Sequence, residues 1–216
     1  MTLEGIRIRL RNIYLRRTAA HRRKKLEHTD FTIISNNCWG GLIYESYGLE
    51  KQSPTVGMYF VAEEYLKFVS NLPHYLFACE LTFVEPEQAR HKTYYSKDKS
   101  FGQYPIAQLD DVEFAILHSH SRQEAKEKWE RRCKRVNMDR LIVKMNDQNG
   151  CTREQAEAFM KLPYPHKLFF TAQGWQLGEG TVKVPGSHGA VATSMEPFGA
   201  SGRLNVNKLI NGLQEK

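Results

Sequence analysis

Phe31-Thr32-Ile33-Ile34-Ser35-Asn36-Asn37-Cys38-Trp39-Gly40-Gly41 decides how this chain is read. The first four residues are apolar or β-branched and read as a strand, because such side chains pack well on a pleated surface. The chain then turns polar and small, and residues 40–47 resume as a helix. The same alternation continues outward. A strand is expected over 56–60, followed by a helix over 62–71 that Pro73 stops. Strands follow over 80–84 and 112–117, separated by a polar, aromatic, turn-rich stretch at 86–108 that forms an excursion or a hairpin. Ser121 and Glu124 have the spacing of a capping box, in which serine and glutamate satisfy each other's orphan backbone donors. Behind them Ala125, Trp129, Cys133 and Val136 mark one helical face. Residues 141–145 form a strand, Thr152 and Gln155 open a second capped helix that ends near Leu162-Pro163, and 168–171 form the last clear strand. Strands alternating with helices at this rhythm imply an α/β fold of three layers, a mostly parallel sheet with helices on both faces.

The flanks differ from this core of residues 29–173. Residues 1–28 form a basic arm in which Leu3, Ile6, Leu10 and Ile13 repeat at helical spacing, with Arg7, Arg9, Arg11, Arg16 and Arg17 largely off that stripe. Residues 1–25 hold nine basic side chains and one acid, against 22 basic and 23 acidic in the remainder, so the overall charge of +7 is a property of the arm. A basic amphipathic helix suits an anionic membrane surface, or else it docks on the body or on a partner. Nucleic acid is disfavoured, because the body carries no basic stripe and no binding motif. Residues 174–216 are rich in Gly, Ser and Pro and read as loop, with a short helix over 205–213. No apolar run approaches the roughly 18 residues that span a bilayer, and the first 25 residues lack the pattern of a secretory signal. The expected compartment is the cytoplasm, peripheral to the inner membrane face if the arm docks there. Cys38, Cys79, Cys133 and Cys151 are scattered without a C-x-x-C pair, which argues for reduced thiols and against a zinc site built on cysteine spacing. No cofactor or metal is required on these grounds.

Ligands of open parallel sheets bind at the carboxyl ends of the strands. That rule selects Ser35–Gly41, His118–Ser121, Asn146–Gly150 and Thr171. Asn36 and Asn37 offer donors and acceptors to hydroxyls. Gly40 and Gly41 permit close backbone approach, with amides facing an anion. Trp39 would stack on a sugar or base. Cys38, beside a helix start, is a candidate nucleophile, although a packed thiol is the plainer reading. His118 is a candidate base, and it forms a Cys–His couple with Cys38 only if their strands are neighbours. Strand alternation separates it from His120. Asp147 suits a base, a sugar hydroxyl or a metal, and its Asp-Gln-Asn-Gly setting also suits a simple turn. Asp110-Asp111 precedes its strand and reads as a turn. Arg132 and Arg135 bind phosphate if their helix faces the cleft, and otherwise lie on a solvated face.

The run Ser35–Tyr44, together with Gly48-Leu49, Ser53-Pro54-Thr55, Tyr104-Pro105, Leu109-Asp110-Asp111, His118, Glu124-Ala125, Trp129, Arg132, Arg135, Asn137, Asp147, Gly150-Cys151-Thr152 and Leu162-Pro163, resembles an uncharacterised bacterial family. Its members are labelled exopolysaccharide or capsule biosynthesis proteins. The resemblance covers residues 30–172 and implies an α/β fold and a setting in surface-polysaccharide assembly. The resulting expectation is a transferase for sugars, sugar nucleotides or lipid-linked glycans, by acyl or glycosyl transfer. Cys38, His118 and Asp147 would be catalytic, and Asn36, Asn37, Trp39, Gly40, Gly41 and Arg132 would bind substrate. The alternative is a non-catalytic module that binds a glycan or nucleotide for a partner enzyme.

Overall fold

A computed structural model describes residues 3–187 and 189–213. The side chains of Leu3 and Glu4, like residues 1, 2, 188 and 214–216 of the two flanks, lie outside the described part. The chain opens with α1 (Leu3–Arg23), β1 (Thr32–Ser35), α2 (Trp39–Tyr47), β2 (Met58–Tyr59) and α3 (Ala62–Ser70). A π-helical turn over His74–Ala78 leads to β3 (Leu81–Val84), the short α4 (Lys92–Tyr95), β4 (Ile106–Leu109), β5 (Val112–Ile116) and α5 (Arg122–Cys133). The remainder is β6 (Leu141–Asn146), α6 (Arg153–Met160), β7 (Lys167–Thr171), β8 (Thr181–Lys183), β9 (Gly186–Ser187), β10 (Ala190–Val191) and α7 (Val206–Asn211).

The α/β class with a parallel sheet holds. Strands β1, β6, β7 and β8 lie side by side in that order and are parallel throughout, with Thr32 opposite Leu141 and Val143 opposite Lys167. Alternation along these strands sorts their side chains. Ile33, Ile142, Leu168 and Phe170 join a core with α1, α2 and α7, while Ile34, Val143, Met145 and Phe169 join another with α3, α5 and α6. Both faces are covered, as a parallel sheet requires.

The strands at 58–59, 81–84 and 112–116 do not extend that sheet. With β4 they form a second, antiparallel one in the order β2-β5-β4-β3. Asp110 and Asp111 are its hairpin turn, with Asp110 at φ 52°, a region that aspartate tolerates better than most residues. The inner face of this sheet, through Met58, Ala107, Phe114 and Ile116, shares the α3/α5/α6 core. Trp129 of α5 sits near Phe68 and Phe114, with ring centroids at 6.5 Å and 5.9 Å, and so joins α5 to both α3 and the antiparallel sheet.

Local signals in the sequence place the helix starts. The Ser121 hydroxyl accepts from the Glu124 amide, but the Glu124 carboxylate accepts from the His120 amide, one residue earlier than a full capping box. Thr152 and Gln155 complete the reciprocal box. Helix α1 packs on α2 through Leu15, Ala19 and Arg22, whose guanidinium donates to the carbonyls of Leu15 and Ser46. The expected apolar stripe is therefore not the docking face: Ile6, Leu10 and Ile13 are exposed, as is Tyr14. The Gly- and Ser-rich C-terminal segment contributes β8 to the parallel sheet and buries Val206 and Ile210 of its short helix.

Replacing Trp129 with Ala is expected to cost about 3–5 kcal/mol by the cavity it leaves, read as a lower urea midpoint at unchanged slope.

Candidate functional site

Two of the selected loops, at 35–41 and 146–150, meet at the carboxyl edge of the parallel sheet, joined by side-chain amides. Asn36 Nδ2 donates to Asn146 Oδ1 at 2.8 Å, and Asn37 Nδ2 donates to Gln148 Oε1 at 3.2 Å. Beneath them lies Lys144, fully buried in β6. Its Nζ donates to Asn37 Oδ1 at 2.9 Å and to Glu196 Oε1 at 2.7 Å, and sits 4.8 Å from the centre of the Phe170 ring. Burial lowers the Lys144 pKa from its ordinary value, and the carboxylate of Glu196 works against that shift. Glu196 Oε1 also accepts from Asn37, whereas its other oxygen, also buried, meets no donor among the described residues.

This network sets the conformation of the Ser35–Gly41 loop. Asn37 Oδ1 accepts from the Trp39 amide, and Ser35 Oγ accepts from the Gly40 amide. The first turn of α2 is thus capped from within the loop, and Cys38, at the N-cap, caps nothing. A Cβ at Gly40 would lie 3.1 Å from Ser35 Oγ and 3.2 Å from the Ile33 carbonyl, so this glycine serves the close packing of α2 on β1. Trp39 is buried edge-on against Phe170 and donates to the Pro197 carbonyl. The Trp39 ring has no exposed surface, and the Gly40 amide is taken by Ser35.

Cys38 lies on the partition between two cavities. One, of about 330 Å³, is lined also by Arg11, Gly41, Glu45, Lys51, His118 and Glu196. The other, of about 420 Å³, is lined by Asn37, Tyr59, Gln148 and Asn149. Thr193 borders both. His118 reaches this point from the antiparallel sheet, and its Nε2 stands 4.0 Å from Cys38 Sγ. Gly57 makes the approach possible: at φ 83° it has no Cβ, where one would lie 2.9 Å from the His118 ring. Arg132 steadies the same loop by donating to the Val56 carbonyl at 2.8 Å.

The two groups are tuned in opposite directions. Burial, then the charge of Glu196, raises the Cys38 thiol above its ordinary 9.0, with Lys144 opposing. Partial burial, then the charges of Lys51 and Lys128, lowers His118 below its ordinary 6.5. At neutral pH the pair is therefore a thiol beside a neutral imidazole, an arrangement in which the imidazole is able to accept the thiol's proton.

Asp147 is not brought to this pair. Its Oδ2 accepts from the Thr171 hydroxyl and from the amides of Ala172 and Gln173, and its Oδ1 accepts from the Val191 amide. These four donors make it the anchor of the segment beyond β7. His120 lies away from Cys38, against a different surface hollow beside Glu85 and Arg122. Glu196 and Gly57 were not singled out in the sequence, and Arg11 was named only as one of the arm's basic residues. Lys144 could have been, since a lysine within Leu141–Met145 places a charge in a strand buried on both faces.

Comparison with known proteins adds two findings. A family model described as "Domain of unknown function (DUF1919)" matches residues 9–206. An "Uncharacterized protein" of Haemophilus influenzae is 34% identical over 148 residues, covering 68% of this chain and 65% of that protein, so the match spans less than two thirds of the relative.

Replacing Lys144 with Met is expected to destabilise the fold by about 3–5 kcal/mol, because it strands a buried carboxylate. Adding Glu196→Gln should recover part of that loss in denaturant titrations. A cost below about 1 kcal/mol for the single variant would show that the pair does not organise the edge.

Proposed function

The chain belongs to this family of unknown function, and we propose that it is a group-transfer enzyme in which Cys38 carries an acyl group from an activated donor to a hydroxylated acceptor. The observation that carries this reading is the place of Cys38, beside His118 and between two cavities. A nucleophile there serves two substrates in turn. As the sulfur bonds to the donor's carbonyl carbon, its proton passes to His118 Nε2. His118 then protonates the leaving group as the donor's bond breaks. The acceptor hydroxyl attacks the thioester while His118 takes its proton, and the departing sulfur recovers a proton from His118.

Acyl transfer is favoured over glycosyl transfer because the carboxylate of Asp147, the other candidate base, is saturated by four donors. A sugar acceptor suits the polar lining: Glu45 and Glu196 on one side, the amides of Asn37, Gln148 and Asn149 on the other. The resemblance to surface-polysaccharide proteins supplies the setting. Helix α1 borders the first cavity through Arg11 and turns Ile6, Leu10, Ile13 and Tyr14 outward, among the exposed Arg7, Arg9, Arg16 and Arg17. That face is suited to an anionic membrane carrying a lipid-linked substrate. Among the described residues no helix is long and apolar enough to cross a membrane. The second reading, a non-catalytic glycan- or nucleotide-binding module, draws on the raised thiol pKa, which leaves Cys38 protonated at rest.

Incubation with acyl-thioester donors should leave a mass increment on Cys38 that hydroxylamine removes. The increment should be lost in Cys38→Ser and slowed in His118→Ala. Binding of sugar ligands without any acylation would establish the second reading. Because the His118 pKa is lowered, acylation should persist at pH 6.5 and decline only in more acid solution. Because the Cys38 pKa is raised, its alkylation by iodoacetamide should still be rising at pH 9.0. The arm should sediment with vesicles containing phosphatidylserine and not with purely zwitterionic ones, and Leu10→Glu should abolish sedimentation.

A further inference from the structure

A second meeting of cysteine and histidine lies outside these cavities, where the π-helical turn His74–Ala78 meets the hairpin tip between β4 and β5. Cys79 Sγ and Asp110 Oδ2 each approach His74 Nε2 at 3.2 Å. One ligand atom from each residue lies within 4.8 Å of the other two.

Both neighbours crowd the same ring nitrogen. In a nucleophile–base–orienter relay the two partners use different nitrogens of the imidazole. A single Nε2 carries at most one proton. If it is protonated and donates to Asp110, the thiol faces an N–H already in use. If it is not, it accepts from the thiol and its lone pair faces a carboxylate oxygen. No protonation state satisfies both contacts well, whereas a cation in their midst would satisfy all three donors.

The spacing suits one. Zinc bonds of about 2.0 Å to nitrogen or oxygen and about 2.3 Å to sulfur, at tetrahedral angles, put ligand atoms roughly 3.3–3.6 Å apart. The set of one thiolate, one imidazole and one carboxylate is borderline-soft, which excludes magnesium and calcium as preferred occupants. The neighbouring carboxylate, Asp111, is already engaged: it accepts from the Tyr75 hydroxyl at 2.8 Å and pairs with Lys67 at 3.3 Å. It fixes the hairpin tip and leaves Asp110 to the cluster. The side chains of His74 and Asp110 are substantially exposed, so a fourth position is open to water.

We propose that His74, Cys79 and Asp110 form a binding site for a divalent transition metal, with zinc as the best fit, which ties the π-helical turn to the β4–β5 hairpin. Cysteine spacing could not reveal it, because one ligand comes from a hairpin far along the chain and the other two are a histidine and a single thiol.

The test uses the full chain after chelator treatment and gel filtration. Titration with Co²⁺ should give one equivalent with tetrahedral visible bands and a thiolate-to-metal band in the near ultraviolet, and zinc should displace it. Cys79→Ser should remove the thiolate band, while Cys38→Ser, which disrupts the other Cys–His pair, should retain it. Asp110→Asn should weaken zinc binding, measured by competition with a chromophoric chelator, by more than the roughly tenfold to hundredfold that losing an outer-shell partner costs. Zinc should also raise the melting temperature of the unmutated chain and not that of Asp110→Asn. The proposal is overturned if cobalt gives only octahedral bands, if the thiolate band follows Cys38, or if Asp110→Asn binds zinc unchanged.

Discussion

An ammonium group buried in the middle of a parallel sheet constrains everything around it. Lys144 is on the α2 side of β6, between Asn37 and Phe170, with no exposed surface. A lysine there is tolerated only if a carboxylate and further polar groups reach it. The carboxylate comes from Glu196, 52 positions along the chain, in a segment whose sequence suggests only loop. That requirement is a reason for the C-terminal segment to fold back across the carboxyl edge. Asp147 secures the same return by holding the amides of Ala172, Gln173 and Val191.

From this pair the shape of the site follows. Asn37 is drawn inward by Lys144 and Glu196, and its remaining lone pair caps the Trp39 amide. The next residue is thereby turned out at the start of α2, where Cys38 reaches both cavities. The antiparallel sheet supplies the other half. The backbones of Gly57 and Leu117 are hydrogen-bonded at 2.9 Å, which delivers His118 to the thiol. The Cys38–His118 pair is thus assembled from two sheets, each holding one member on a hydrogen-bonded loop.

Much of this was legible locally. The Ser35–Gly41 loop and α2, the cap at Thr152, and the strands β1, β6 and β7 follow from short-range apolar pattern and capping chemistry. The carboxyl-edge rule brought the loops at 36–37 and 146–148 together correctly, because β1 and β6 are true neighbours. The second sheet was not legible. Residues 58–59, 81–84 and 112–116 have the same apolar content as parallel strands, and only the 106–109 strand, hidden at the end of a polar excursion, turns them into an antiparallel meander. The face on which α1 docks was not legible for a related reason. Periodicity shows that a helix has an apolar face, not that the face is covered, and the covered face here is completed by Arg22, whose donors are taken by the carbonyls of Leu15 and Ser46 and the hydroxyl of Thr18.

The roles within the loop were the least legible part, because amide side chains that bind ligands and amide side chains that hold a buried charge are the same residues in a sequence. Asn36 and Asn37 look like hydroxyl readers, yet Asn36 points at Asn146 and Asn37 at the Lys144–Glu196 pair. Cys38 looks like core, yet it is the loop residue left at the cavity wall once the asparagines turn inward. The distinction rests on Lys144: with an apolar residue there, Asn37 would have no buried charge to hold and would be free to face the cleft. The chemistry of the loop is therefore set by a residue on the neighbouring strand, and the charge beneath the loop determines which of its side chains can meet a substrate.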